Sequence, residues 1–110
     1  MSDALDALQR TFAILSAKYR VKLPGTVAQF EDLWRRVLAA EAPVSGLADL
    51  IRIAHNIAGT GKTFGFASAG EAAREIELCL EPVCAAGRLP DAAEQERVAA
   101  LLAALKSAAQ

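Results

Sequence analysis

Apolar residues recur every three or four positions along almost the whole chain, which is the spacing of amphipathic helices. This pattern predicts five helices. The first carries its apolar face from Leu5 to Tyr19 and ends at Leu23-Pro24-Gly25, because a proline interrupts the hydrogen bonding of a helix. The second carries Val27 to Leu38 in phase and ends near Pro43.

Two further helices are predicted in the middle of the chain. One covers residues 45–65 in a single apolar phase. The next begins at Ser68, since Ser68 and Glu71 have the form of a capping box. Pro82 lies inside its apolar pattern, so we expect a kink or an early end there, and Gly87 is a suitable stop.

The last helix begins at Pro90-Asp91, with Glu94 three residues after Asp91, and presents apolar residues as far as Leu105. No segment alternates apolar and polar residues as a half-buried strand does. Five amphipathic helices with short connections predict an all-α fold: an antiparallel four-helix bundle in one domain, residues 1–110. We expect the additional N-terminal helix to pack across the bundle as a lid.

Composition narrows the function classes. Of 110 residues 54% are hydrophobic, and 12 Lys and Arg stand against 13 Asp and Glu, so no basic excess favours nucleic acid. The chain lacks a signal-peptide pattern and an apolar run of about 20 residues, which predicts a cytoplasmic protein that does not cross a membrane. Cys79 and Cys84 are five apart, which suits two small apolar residues better than a metal site.

The stretch His55–Phe66, HNIAGTGKTFGF, contains GTGKT, which is similar to the end of a nucleotide-binding P-loop. That motif requires a glycine at position 56, where this chain has Asn56. A P-loop also requires a buried strand directly before it. The preceding residues continue a helical period instead. The P-loop interpretation is therefore excluded.

The second interpretation of the same stretch depends on a single histidine. On a helical wheel His55 lies beside the apolar stripe, on a face with several small residues and two cations. An imidazole there stands above a shallow surface on which the backbone of another protein can come close. The predicted docking residues are Ile51, Arg52, Ala58, Gly59 and Lys62.

Two glycines in the same helix support this interpretation. A glycine inside a helix costs about 1 kcal/mol relative to alanine. Gly61 faces the apolar stripe, where it allows a second helix to pack closely. Gly59 faces outward beside His55, where room for a partner is the better explanation.

These residues resemble the histidine-containing phosphotransfer (HPt) domain family. The stretch AHNIAGTGKTFGF is similar to the motif of the P1 domain of chemotaxis kinases, AH-x-[LI]-K-G-x-x-x-TFGF. The matching positions are Ala54, His55, Ile57, Gly59, Thr63, Phe64, Gly65 and Phe66. The motif covers about a dozen residues, and the predicted helix order agrees over most of the chain.

The resemblance implies a phosphoryl carrier without an ATP site of its own. Nε2 of His55 would accept a phosphoryl group from a sensor or hybrid histidine kinase, or from a receiver phospho-aspartate, and pass it to a receiver aspartate. No cofactor or metal is implied, since the response-regulator receiver domain supplies Mg²⁺. Glu77 would accept a hydrogen bond from Nδ1–H of His55 and leave Nε2 available.

One position departs from the family motif. The lysine usual three residues after the histidine is replaced by Ala58. Lys62, one turn further on, could supply the missing charge to the phosphoryl group. Arg52 is a weaker candidate, and Arg74, one turn before Glu77, could border the site.

Two alternatives stay open. The chain could be an HPt-like interaction module that binds a receiver or kinase without accepting phosphate, which Ala58 motivates. It could also be a small helical enzyme, although only Glu77 pairs with His55 as a second catalytic group. Met1 and the polar end LKSAAQ favour a free-standing carrier, for which a monomer is the simplest expectation.

Overall fold

Residues 3–110, which this computed structural model describes, form four helices and no strand. They are α1 (Asp3–Leu38), α2 (Gly46–Thr63), α3 (Ala67–Ala85) and α4 (Ala92–Ala108). The most extensive packing is between α2 and α3, followed by α3 against α4 and α1 against α2. The predicted all-α class is confirmed. No helix in this part of the chain is both long enough and apolar enough to cross a membrane.

The first two predicted helices are one continuous helix, so the expected break at Leu23-Pro24-Gly25 is wrong. Leu23 and Val27 are both buried, and the apolar stripe keeps its phase across the proline. Packing of that stripe therefore outweighs the one backbone hydrogen bond that Pro24 cannot donate. Pro24 itself is exposed.

The N-terminal half of α1 is not the separate lid that the sequence predicted. At 1.5 Å per residue a 36-residue helix spans about 54 Å, close to the 56 Å longest dimension of the molecule. Leu8 is 67% exposed and Val21 82% exposed, so much of this half extends along the molecule in contact with solvent.

One core runs through the four helices. Large side chains that are fully buried come from every helix. Glu77 is the one charged residue buried among the described residues. Cys79 and Cys84 are free and half-buried, which fits the role expected for them. The fully buried large side chains are Leu23, Phe30, Val37, Leu47, Leu50, Ile57, Ile76, Leu80, Val83, Val98 and Leu105.

The start of α3 differs from the prediction. Phe66 occupies the N-cap position, and no side chain caps the helix, so the capping box at Ser68 and Glu71 is wrong. The backbone oxygen of Phe66 accepts from Gly70 N at 2.9 Å instead. At the other end α3 continues past Pro82 and ends at Ala85, so of the two outcomes expected at this proline, a kink or an early end, the early end is wrong.

Turn residues elsewhere follow the prediction. Gly87 adopts a φ of 67° just after α3, a conformation that costs glycine little. Asp91 caps α4 by accepting from Glu94 N, and Glu94 accepts from Asp91 N, both at 2.8 Å. Arg88 also binds Glu94, and these hydrogen bonds lower the pKa of Glu94 to about 2.

Candidate functional site

The turn between α2 and α3 fixes how these two helices face each other. Gly65 has a φ of 90°, and Phe66 N donates to Gly61 O at 2.7 Å. This hydrogen bond to the residue five positions earlier is typical of a Schellman-type helix end. The rings of Phe64 and Phe66 lie 5.3 and 5.7 Å from that of Tyr19 on α1. The TFGF segment thus forms the turn and attaches it to the long helix.

Two glycines let α2 and α3 come into backbone contact beside this turn. A Cβ added at Gly61 would lie 3.1 Å from Phe66 O and 3.2 Å from Gly70 N. A Cβ added at Gly70 would lie 3.1 Å from Ala58 O. Close packing at Gly61 is therefore confirmed, and Gly70 is its counterpart on α3.

The contact brings His55 of α2 against Glu77 of α3. His55 Nδ1 lies 2.8 Å from Glu77 Oε2. The histidine side chain is 73% exposed, whereas that of Glu77 is 6% exposed. A buried carboxylate therefore orients the inner nitrogen of an exposed ring, and Nε2, the other nitrogen, is the one available to a partner.

Arg74 binds the second oxygen of the same carboxylate. Its Nη1 lies 3.0 Å from Glu77 Oε1, one turn earlier on α3. Burial by itself raises the pKa of Glu77, but hydrogen bonds and charges from His55 and Arg74 outweigh it and lower the pKa below its usual value near 4.5. Glu77 is thus an anion at neutral pH with both oxygens engaged.

The predicted docking residues share the face of α2 around His55, with unequal exposure. Gly59 is exposed, and a Cβ there would have nothing within 4 Å, so the surface beside the histidine is open. Ile51 and Ala58 are half-buried. Arg52 is exposed and pairs with Asp49 at 3.1 Å.

A groove of about 230 Å³ lies between α2 and α3 on the side of Ala58. Lys62 and Arg74 bring positive charge to it, and Glu71 and Glu75 bring negative charge. Within residues 3–110 Lys62 forms no ion pair, so its ammonium group is available in the groove. A side chain longer than alanine at position 58 would enter the same groove.

Three features of this region were missed or understated by the sequence analysis. Gly70 was not recognised as a contact residue, although a glycine in the first turn of a helix can be a signal for close packing. Arg74 was expected only to border the site, yet it binds Glu77 directly. The hydrogen bond from Thr60 Oγ1 to Tyr19 Oη, 2.9 Å long, joins α2 to α1 through two residues that the sequence analysis did not pair.

Metal ligands do not gather here. Among the described residues no group of three or more His, Cys, Asp or Glu side chains is placed to hold a metal ion. The chemistry available at the site is that of one imidazole, one carboxylate and nearby cations.

The family comparison agrees with this architecture. The family model described as the Hpt domain matches residues 15–108, so the chain belongs to the Hpt domain family. Hpt domains are phosphocarrier modules of two-component signalling, and the family implies histidine phosphotransfer. Neither the search of curated proteins nor the search of solved structures gave a match. The similarity to the P1 domain stays an interpretation.

Proposed function

We propose that this chain carries a phosphoryl group on Nε2 of His55. The donor is a sensor or hybrid histidine kinase, or the phospho-aspartate of a receiver domain, and the acceptor is the aspartate of a response-regulator receiver. The observation that carries the proposal is a histidine 73% exposed whose Nδ1 lies 2.8 Å from a buried carboxylate. Both partners act in the cytoplasm, and the carrier acts as a monomer.

The geometry supports the chemistry of in-line transfer. The Nε2 lone pair of a neutral ring attacks phosphorus, an N–P bond forms, and the bond from phosphorus to the donor oxygen breaks. The proton on Nδ1 stays in place, so the phosphorylated ring carries positive charge. Glu77 faces that charge from Nδ1 and stabilises it.

The surface around His55 supports docking of a compact partner. Ala58 and Gly59 present little side-chain bulk and Ile51 is half-buried, which lets a receiver bring its aspartate and Mg²⁺ close to Nε2. Arg52 and Lys62 are exposed on this face and attract the acidic phosphorylation site of a receiver. Lys62 contacts the phosphoryl oxygens in place of the lysine replaced by Ala58.

A second function is favoured by Ala58 alone. Without a lysine three residues after the histidine, the chain could bind a receiver or kinase and accept no phosphate. Such an interaction module would bind its partner through the shallow face around His55 without phosphoryl transfer to His55. The two functions therefore differ in whether His55 becomes labelled.

The test is a transfer assay. Receiver domains are phosphorylated with labelled acetyl phosphate and Mg²⁺, desalted and mixed with the chain. We expect an acid-labile, hydroxylamine-sensitive label on wild type and none on His55→Gln, because the amide has no nucleophilic nitrogen.

The control is the fold of the variant. Since His55 is exposed, His55→Gln should keep the helical circular dichroism of wild type. Label on His55→Gln would show that another residue is the acceptor. Binding of the receivers without any label on wild type would favour the interaction module.

A further inference from the structure

Arg74 has a position that suggests a specific task in the transfer step. It shares the Glu77 carboxylate with His55, one group on each oxygen. A carboxylate next to a histidine favours the protonated ring, since opposite charges attract. A protonated ring has no lone pair on Nε2 and cannot attack phosphorus.

We propose that Arg74 balances the charge of Glu77, so that the carboxylate orients His55 without drawing a second proton onto its ring. Arg74 is thus a positioning residue that acts through Glu77. This inference rests on the proposed function, because it concerns the reactive state of the same histidine. It also accounts for a buried carboxylate beside a nucleophile that has to stay neutral.

The surrounding charges leave this task to Arg74. On α2, Arg52 binds Asp49 at 3.1 Å, and on α4, Arg97 binds Glu75 at 3.4 Å. Other charged groups line the grooves on either side of α2: Lys22 of α1, Lys62 of α2 and Glu71 of α3. The charged side chains in direct contact with the Glu77 carboxylate are His55 at Oε2 and Arg74 at Oε1.

The chain offers a direct measurement, because His55 is its only histidine. Proton NMR of the imidazole follows its titration without any partner protein. We expect the midpoint for Arg74→Met to rise by about half to one pH unit relative to wild type, since an unbalanced carboxylate stabilises the protonated ring. Arg74→Lys keeps the charge and should stay close to wild type.

Arg97→Met is the matched control, since it also removes an exposed arginine that binds a glutamate of α3. Its midpoint should equal that of wild type. An unchanged midpoint in Arg74→Met, or an equal rise in Arg97→Met, would overturn the charge balance. Circular dichroism checks that each variant is folded, which the half-exposed Arg74 side chain makes the expected result.

The transfer assay gives a second measurement. Label acceptance by Arg74→Met should fall about three- to tenfold at pH 6 and recover towards the wild-type rate near pH 8.5, since only the neutral ring reacts. An equal loss at both pH values would assign Arg74 to docking and overturn the proposal. If wild type accepts no label at any pH while the NMR midpoint still rises, the proposed function fails and the charge balance stands.

Discussion

Glu77 combines burial with two hydrogen-bonded partners, and both features determine how it responds to pH. Its pKa in the folded chain lies below the usual 4.5, because His55 and Arg74 together outweigh the cost of burial. In the unfolded chain the carboxylate takes up a proton at a higher pH than in the folded chain. Its contribution to stability is therefore complete above about pH 4.5 and is lost as the pH falls through the lowered value.

Glu77→Gln should show this dependence in urea unfolding. At pH 7 we expect a loss of about 1–2 kcal/mol, because hydrogen bonds to a charged group are replaced by weaker ones. The difference from wild type should shrink as the pH drops below 4.5. Glu81→Gln changes an exposed glutamate of the same helix and should leave the free energy of unfolding unchanged at both pH values. A difference that does not vary with pH would contradict the role of charge.

The residues of the candidate site were more predictable than their contacts. His55 was selected from its position on the helix and from the family motif, Glu77 was implied by the family resemblance, and the two meet at 2.8 Å. The bond of Arg74 to the same carboxylate depends on the rotamer of a long side chain, which a sequence pattern does not specify. Lys62 has the predicted face and exposure, and its role stays a prediction.

On the scale of helices, the crossing of α2 and α3 depends on Gly61 and Gly70. Gly61→Ala places a methyl group against backbone atoms at 3.1 and 3.2 Å, which cannot move as a side-chain tip can. We expect a loss of about 1–3 kcal/mol in the free energy of unfolding. The measurement is urea denaturation followed by circular dichroism.

Gly59→Ala is the matched variant in the same helix. Its added methyl group meets nothing within 4 Å, so it should stabilise the chain by up to about 1 kcal/mol through helix propensity. The same change in the free energy of unfolding for both alanine variants would contradict the close packing of α2 and α3 at Gly61.

Pro24→Ala tests why α1 continues through a proline. The change restores a backbone donor inside a continuous helix, and we expect a gain of about 1–3 kcal/mol in urea unfolding. Pro43→Ala lies in the loop before α2 and should have a much smaller effect. A loss of stability in Pro24→Ala would mean that the proline suits its position in α1.

The errors about helix ends have a common physical cause. Pro24 and Pro82 were interpreted from local preferences, whereas burial of Leu23, Val27 and Val83 continues the helices past both prolines. Local preferences are worth a few kcal/mol at most, and a continuous buried stripe can exceed that sum. Where no packing opposed the local signal, as at the Asp91 cap, the prediction held.

On the scale of the whole molecule, the length of α1 dominates the shape. The radius of gyration of 16.0 Å exceeds the roughly 13 Å expected for a compact chain of this length. The composition and the helix pattern contain no information on this elongation, because it depends on whether one proline breaks the helix. The sequence therefore predicted the class of fold and not its proportions.

Docking of a receiver is a property of a whole face, and Gly59→Leu tests it. The new side chain fills the open surface beside His55, and we expect receiver binding to weaken about tenfold or more in titration calorimetry. Gly25→Leu, at an equally open helical glycine on α1, should bind as wild type does. Equal affinities of the two variants would contradict the proposed location of the interface.

The hydrogen bond between His55 and Glu77 also has a consequence for regiochemistry. An imidazole has two nitrogens, and a free histidine can be modified at either one. Here Nδ1 lies against a carboxylate that is itself 6% exposed, and turning the ring over would leave that buried anion with one partner fewer. The protein should therefore yield a single phosphohistidine isomer, and reagents that distinguish the two isomers should detect only the Nε2 form.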